Sequence, residues 1–218
     1  MSLAKTMTSI WGPLGWMTLH SVSTSYPEKP TPAEKQLVSS WLELFRDTIT
    51  CPHCKQHFGT MLQNYRARFP GFLNSRQDFA MFAFRAHNAV NARLHKPVYQ
   101  TLAECMEILR NNIKNRTAAN YRVSYVNHIA RYWGTIQDIS GIVAMKKVLE
   151  MKKIETEYFS THDTEFNVTL AEDSVVIPRN WVENDTGERT PAPQIRMAPL
   201  NTNARGGFRV VGGRMRLL

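Results

Sequence analysis

Residues 13–113 are punctuated as five consecutive helices with no strand pattern between them, and this limits the fold more than any other feature. Pro13 sits where a first helical turn tolerates proline, which predicts a helix from there to about Ser25. Tyr26-Pro27 and Pro30 end it. Thr31-Pro32-Ala33-Glu34 is a capping box with proline at the first helical position. Behind it, Leu37, Val38, Trp41, Leu42, Phe45 and Ile49 keep the period of a helix with one buried face. A third helix is expected from Cys51-Pro52 through Phe58, Met61, Leu62 and Tyr65. Ser75 and Asp78 cap a fourth, with Phe79, Phe82, Ala83, Val90 and Leu94 as its apolar residues and Pro97 as its stop. Thr101 and Glu104 cap a fifth, with Leu102, Met106, Leu109 and Ile113 inward. The expected class is all-α, a four-helix bundle plus a short fifth helix.

After Arg116 the pattern loosens. Tyr121, Tyr125, Ile129, Tyr132 and Ile136 predict a sixth helix, and Ile139 to Tyr158 a seventh. Phe166 to Leu170 and Val175 to Ile177 are short β-like runs around Ala171-Glu172-Asp173-Ser174, which reads as a small hairpin. From Asn184 the chain is rich in Pro, Gly, Asn and Arg, and an extended or disordered tail is expected. These shifts divide the chain into residues 1–116, a helical extension over 117–182, and a basic tail over 183–218. No internal repeat is evident. No window holds about 18 uninterrupted apolar residues, so no membrane span is expected. Met1 to Trp11 lacks the apolar core of a secretory signal, which predicts a chain that stays on the cytosolic side of Sec-type export.

Three cysteines are too few for a disulfide-stapled scaffold. Cys51 and Cys54 form a C-x-x-C at the predicted start of the third helix. There the helix dipole and free backbone N–H groups, with Lys55 and His53 nearby, favour the thiolate that attacks disulfides. The competing reading is half of a zinc site, with His57 as a third ligand and His87 as a fourth. Redox chemistry is favoured, because no second C-x-x-C exists and no metal is expected. A second polar element is His87-Asn88-Ala89-Val90-Asn91-Ala92-Arg93-Leu94-His95-Lys96-Pro97. On a helix, His87, Asn91 and His95 share one face with Asn88 beside them, and buried polar groups there need partners. One reading is a satisfied core; the other is a cleft for a polar ligand, with Arg93 or Lys96 near its phosphates. A third element, on the first helix, places Trp16 and His20 one turn apart, which suits a planar heterocycle.

The motifs W-G-x-x-x-W-x-x-L-H, Y-P-x-x-P-T-P, C-x-x-C and H-N-x-V-N-x-x-L-x-K-P follow one another between Trp11 and about Leu109. In this order they resemble the Erv/ALR family of FAD-linked sulfhydryl oxidases. The resemblance implies a helical bundle holding FAD, and usually a homodimer. It implies that Cys51 exchanges with incoming dithiols and that Cys54 is the sulfur nearer the flavin. It implies cofactor contacts from Gly12, Trp16, His20, Tyr26, His87, Asn88, Asn91, Arg93, Lys96 and Tyr99. Electrons would pass from a protein dithiol to Cys51/Cys54, to FAD, and to oxygen, giving hydrogen peroxide.

The chain departs from the family pattern in two places. Pro13 stands where many cellular members carry an arginine, so Arg93, Lys96 or another base must supply the cation. Cys105 is alone where relatives commonly have a further disulfide; it falls on the apolar side of the fifth helix and reads as a buried, inert thiol. Short viral members of the family look similar in lacking that bridge. A viral source is therefore expected, with the protein in the infected-cell cytoplasm, an assembly site or the virion; an organellar protein is the alternative. The last hundred residues read as a dimerisation or docking module, with a capsid or assembly protein as the partner. The net charge of +9 reads as solubility, and nucleic acid is not expected as a ligand. The non-enzymatic alternative is a structural virion protein on the same fold. A thioredoxin-like fold is the nearest enzyme rival, and it requires a strand before Cys51.

Overall fold

The computed structural model describes residues 3–113 and 117–162, together with two short strands near the C-terminus. Among the described residues seven α-helices follow one another: α1 Leu3–Ser25, α2 Pro32–Thr48, α3 Pro52–Arg68, α4 Arg76–Arg93, α5 Leu102–Ile113, α6 Ala118–Gly134 and α7 Ile139–Glu157. A 3-10 turn, Phe159–Thr161, closes α7. The class is all-α, and the segment before Cys51 is a helix, which removes the thioredoxin-like alternative.

The helix starts are set locally. Thr31 accepts from the Glu34 amide while the Glu34 carboxylate takes the Thr31 amide, completing the capping box of α2. Ser75 caps α4, Thr117 caps α6 and Asp138 caps α7, each through its side-chain oxygen and the amide three residues on. Each such cap is worth about 1 kcal/mol. Two boundaries differ from the expected ones. α1 begins at Leu3 and runs through Pro13, so the proline removes one backbone bond without ending the helix. α4 stops at Arg93, four residues before Pro97, because His95 adopts a left-handed conformation at φ 54°.

α6 packs along α1, and α7 packs along both α6 and α2. The helices expected as an extension therefore help to cover the bundle core. They belong to one compact unit, residues 1–177; residues 178–218 form a second. The core is aromatic: Trp41, Phe45, Phe58, Tyr65, Phe72, Phe79 and Phe82 are buried, and their rings meet mostly edge to face. Each such burial contributes about 1.5–3 kcal/mol. The α6–α7 turn requires glycine at 141, since a Cβ there would lie 2.0 Å from the Ile136 carbonyl oxygen.

Arg122 of α6 crosses this interface with its side chain fully buried. It reaches Glu155 of α7 at 2.9 and 3.0 Å, Ser21 of α1 at 2.5 Å and the Phe159 carbonyl at 3.1 Å. A buried guanidinium is tolerated only when its donors are satisfied in this way. In the second unit, Arg209–Val211 (β1) pairs antiparallel with Arg214–Arg216 (β2). The Gly212-Gly213 dipeptide between these runs is a hairpin signal that the extended-tail expectation passed over. The hairpin expected within residues 166–177 lies outside the described residues.

Candidate redox and cofactor site

Cys51 is the N-cap of α3, and Pro52 occupies its first turn, where a proline loses nothing. The spacing of three brings the Cα atoms to 5.2 Å, and the two sulfurs are joined in a disulfide. The Cys54 amide points at Cys51 Sγ from 3.3 Å. After reduction, that amide and the dipole of α3 stabilise a Cys51 thiolate. In this oxidised state both sulfurs belong to the bridge. Lys55, expected beside the sulfurs, turns back instead and donates to the Asp47 carbonyl at 3.0 Å.

A second cluster forms where α1 meets α4. Trp16 stacks on His87 with ring centres 4.4 Å apart and planes 9° from parallel. His20 Nε2 lies 3.1 Å from His87 Nδ1, and Tyr99 presents its edge to His87 at 6.0 Å. Asn88 fixes the loop after α4 by donating to the Tyr99 carbonyl at 2.8 Å and accepting its amide at 3.0 Å. Burial, and then His87, push the His20 imidazole well below its usual range. Burial, with Lys96 second, pushes His87 down to about 4. Both rings are therefore neutral at physiological pH. Among the described residues His20 Nδ1 is one of five buried side-chain atoms with no hydrogen-bond partner, and it belongs to the ring that meets His87.

Of the remaining expected residues, Asn91 is buried on α4 and its carbonyl accepts the Lys96 amide at 2.8 Å. Arg93, the last residue of α4, and Lys96, in the loop that follows, are exposed. Gly12 has open space where a side chain would project. Tyr26 sits in the core: it is fully buried, and its hydroxyl donates to the Leu73 carbonyl at 2.9 Å. Reading the sequence did not place Cys105 beside the histidines. The ligand atoms of His20, His87 and Cys105 all lie within 4.8 Å of one another, a three-donor set of a size that suits a metal. Burial, then Glu104, raise the Cys105 thiol to about 12, so it stays protonated at neutral pH.

These residues suit a flavin dinucleotide in kind. Stacked aromatic planes match a heterocycle, an unpartnered imidazole nitrogen matches a polar ring edge, and two exposed cations match a diphosphate. The Erv1 / Alr family profile matches residues 14–119. The FAD-linked sulfhydryl oxidase of African swine fever virus (isolate Tick/Malawi/Lil 20-1/1983) is 31% identical over 105 residues, covering 48% of this chain and 84% of that protein. The chain belongs to the Erv1/Alr family. A second relative, from Invertebrate iridescent virus 6, is 34% identical over 92 residues, covering 41% of this chain and 83% of its own length. FAD-linked sulfhydryl oxidase ERV2 of Saccharomyces cerevisiae is 29% identical over 100 residues, 46% of this chain and 47% of that one. Among solved structures, the yeast Erv1 core is 31% identical, covering 42% of this chain and 74% of that one, with a TM-score of 0.37.

Proposed function

We propose that this protein is an FAD-dependent thiol oxidase whose redox centre is Cys51–Cys54. The observation that carries the reading is the disulfide at the N-terminus of α3 in a member of this family. A substrate thiolate attacks Cys51 Sγ, the Cys51–Cys54 bond breaks, and Cys54 leaves as a thiolate. A second substrate thiolate then attacks the substrate sulfur of the mixed disulfide and releases Cys51, so the substrate is oxidised by two electrons and the pair is reduced.

FAD, when bound, supplies the two-electron acceptor that returns the pair to its oxidised state and hands electrons to oxygen, giving hydrogen peroxide. Trp16, His20 and His87 would hold its ring systems, with Tyr99 and Asn91 beside them and Asn88 fixing the loop that carries Tyr99. Arg93 and Lys96 would face its phosphates, the open space at Gly12 leaves room for the cofactor, and Tyr26 supports the far end of α1. The neutral imidazoles offer hydrogen bonds without placing a charge in a buried cleft.

Two viral relatives of comparable domain length support a viral source and a role at an assembly site or in the virion. Among the described residues no helix is long and apolar enough to cross a membrane. Residues 1–116 are read as the oxidase domain, 117–182 as its helical support, and 183–218 as a tail. Sedimentation of the purified protein tests the homodimer that the resemblance implies.

The deciding experiment pairs an absorption spectrum with oxygen uptake on dithiothreitol, for wild type and Cys54→Ala. A flavin spectrum with uptake that falls at least about a thousandfold in the variant supports the oxidase, because one sulfur cannot re-form the bridge. A colourless protein without uptake rejects it in favour of a structural role.

A further inference from the structure

A groove of about 440 Å³ opens between the α2–α3 junction and the first turns of α7. Its lining comes within one residue of the redox pair along the chain. Lys55, on one wall, directly follows Cys54, and its amide donates to the Cys51 carbonyl at 2.9 Å. Trp133, also lining the groove, donates through its indole N–H to the Thr48 carbonyl at 2.8 Å, tying the end of α6 to the segment that leads into Cys51. The far wall is the start of α7, where Ile139 is 80% exposed and Val143 46% exposed. Single exposed apolar residues are ordinary, but these sit one turn apart on the rim of one groove.

The rim carries two lysines, Lys55 and Lys147, and one carboxylate, Asp47. Asp47 faces Lys147 and Arg46, with Lys55 at 4.0 Å. Lys55 and Lys147 together outnumber it, so the groove keeps an excess of positive charge. Its α6 and α7 residues lie beyond the family match at 14–119.

We propose that this groove docks the polypeptide segment of the dithiol substrate, taking an apolar side chain beside its cysteine and an acidic residue facing Lys55 and Lys147. The inference rests on the thiol-oxidase reading. The apolar side chain packs on Trp133, Ile139 and Val143, while the carboxylate meets the lysines. This holds the substrate thiol at the disulfide and leaves the exchange chemistry to the cysteines. Small dithiols need none of these contacts, which separates docking from bond exchange.

The test uses the FAD-loaded full chain and three reduced substrates: dithiothreitol, a Cys-x-x-Cys peptide flanked by leucine and glutamate, and the same peptide flanked by serine and lysine. Wild type is expected to show a KM about tenfold lower for the leucine-glutamate peptide than for the other. Ile139→Ser with Val143→Ser raises that KM about tenfold and removes most of the preference, while kcat on dithiothreitol is unchanged. The exposure of both positions keeps the fold intact, which the thermal midpoint of the double variant verifies. Equal KM values for the two peptides in wild type, or an unchanged preference in the variant, overturn the proposal. So does a parallel loss of dithiothreitol turnover. Conversion of a wild-type dimer to a monomer in the variant also overturns it, by assigning the face to a second copy. A wild type inert on all three dithiols overturns the oxidase reading and the docking reading together.

Discussion

α1 carries two buried polar clusters on different sides, and they are built on opposite principles. Toward α4 it offers His20, which with His87 forms a neutral pair and leaves one ring nitrogen without a partner. Toward α6 it offers Ser21 and Ser25 to a guanidinium that is also bonded to Glu155 and to the Phe159 carbonyl. The charged cluster binds three helices and the 3-10 turn to one another. The neutral one is left incomplete. Unpaired buried polar atoms are costly, so the open His20 nitrogen among the residues proposed to hold the cofactor suits a ligand group, whereas the saturated guanidinium serves architecture.

The largest effect expected from this contrast lies on the arginine side. Arg122→Ala takes the guanidinium away from the buried Glu155 carboxylate and should cost about 3–5 kcal/mol. The flavin content of the molecules that remain folded should not change. Chemical denaturation with a flavin-to-protein ratio checks both halves, and flavin lost in proportion to stability would erase the distinction.

The histidine side should give pH dependence. His87 is held near 4 in the fold against 6.5 in the free side chain, and His20 is lowered too. Below about pH 6.5 the unfolded chain takes up protons that the fold refuses until about pH 4. Stability is therefore complete above about 6.5 and falls between there and about 4, by on the order of 3 kcal/mol for His87 alone. Thermal midpoints from pH 7.5 to 4.5 should slope downward in wild type and flatten in His87→Asn. Equal slopes would mean that carboxylates dominate.

The smallest effect concerns a tie between the two halves. Trp133→Phe removes the bond to the Thr48 carbonyl and should cost about 1 kcal/mol, with little change in dithiothreitol turnover. Chemical denaturation and oxygen uptake of that variant measure both.

The helix boundaries were legible where a cap announced them. Thr31 with Glu34, Cys51 with Pro52, and Ser75 with Asp78 all start helices where they stand, because capping is a bond between residues three apart. The start of α1 was not legible: Pro13 is acceptable both as a first residue and, at a modest cost, inside a helix. The grouping of His20 with His87 could be suspected from two motifs. Its third member, Cys105, had only an apolar helix face to recommend it.

By itself the sequence determined which segments are helical, which two cysteines lie within bonding reach, and which family pattern the chain carries. These depend on residues close together along the chain or on motifs in order. The tertiary structure alone decided that α6 and α7 complete the core, that Arg122 meets Glu155 across 33 positions, and that Lys55 turns from the sulfurs toward Asp47. Those outcomes rest on which helix faces meet. That choice is made by the burial of whole surfaces together, and no local spacing records it.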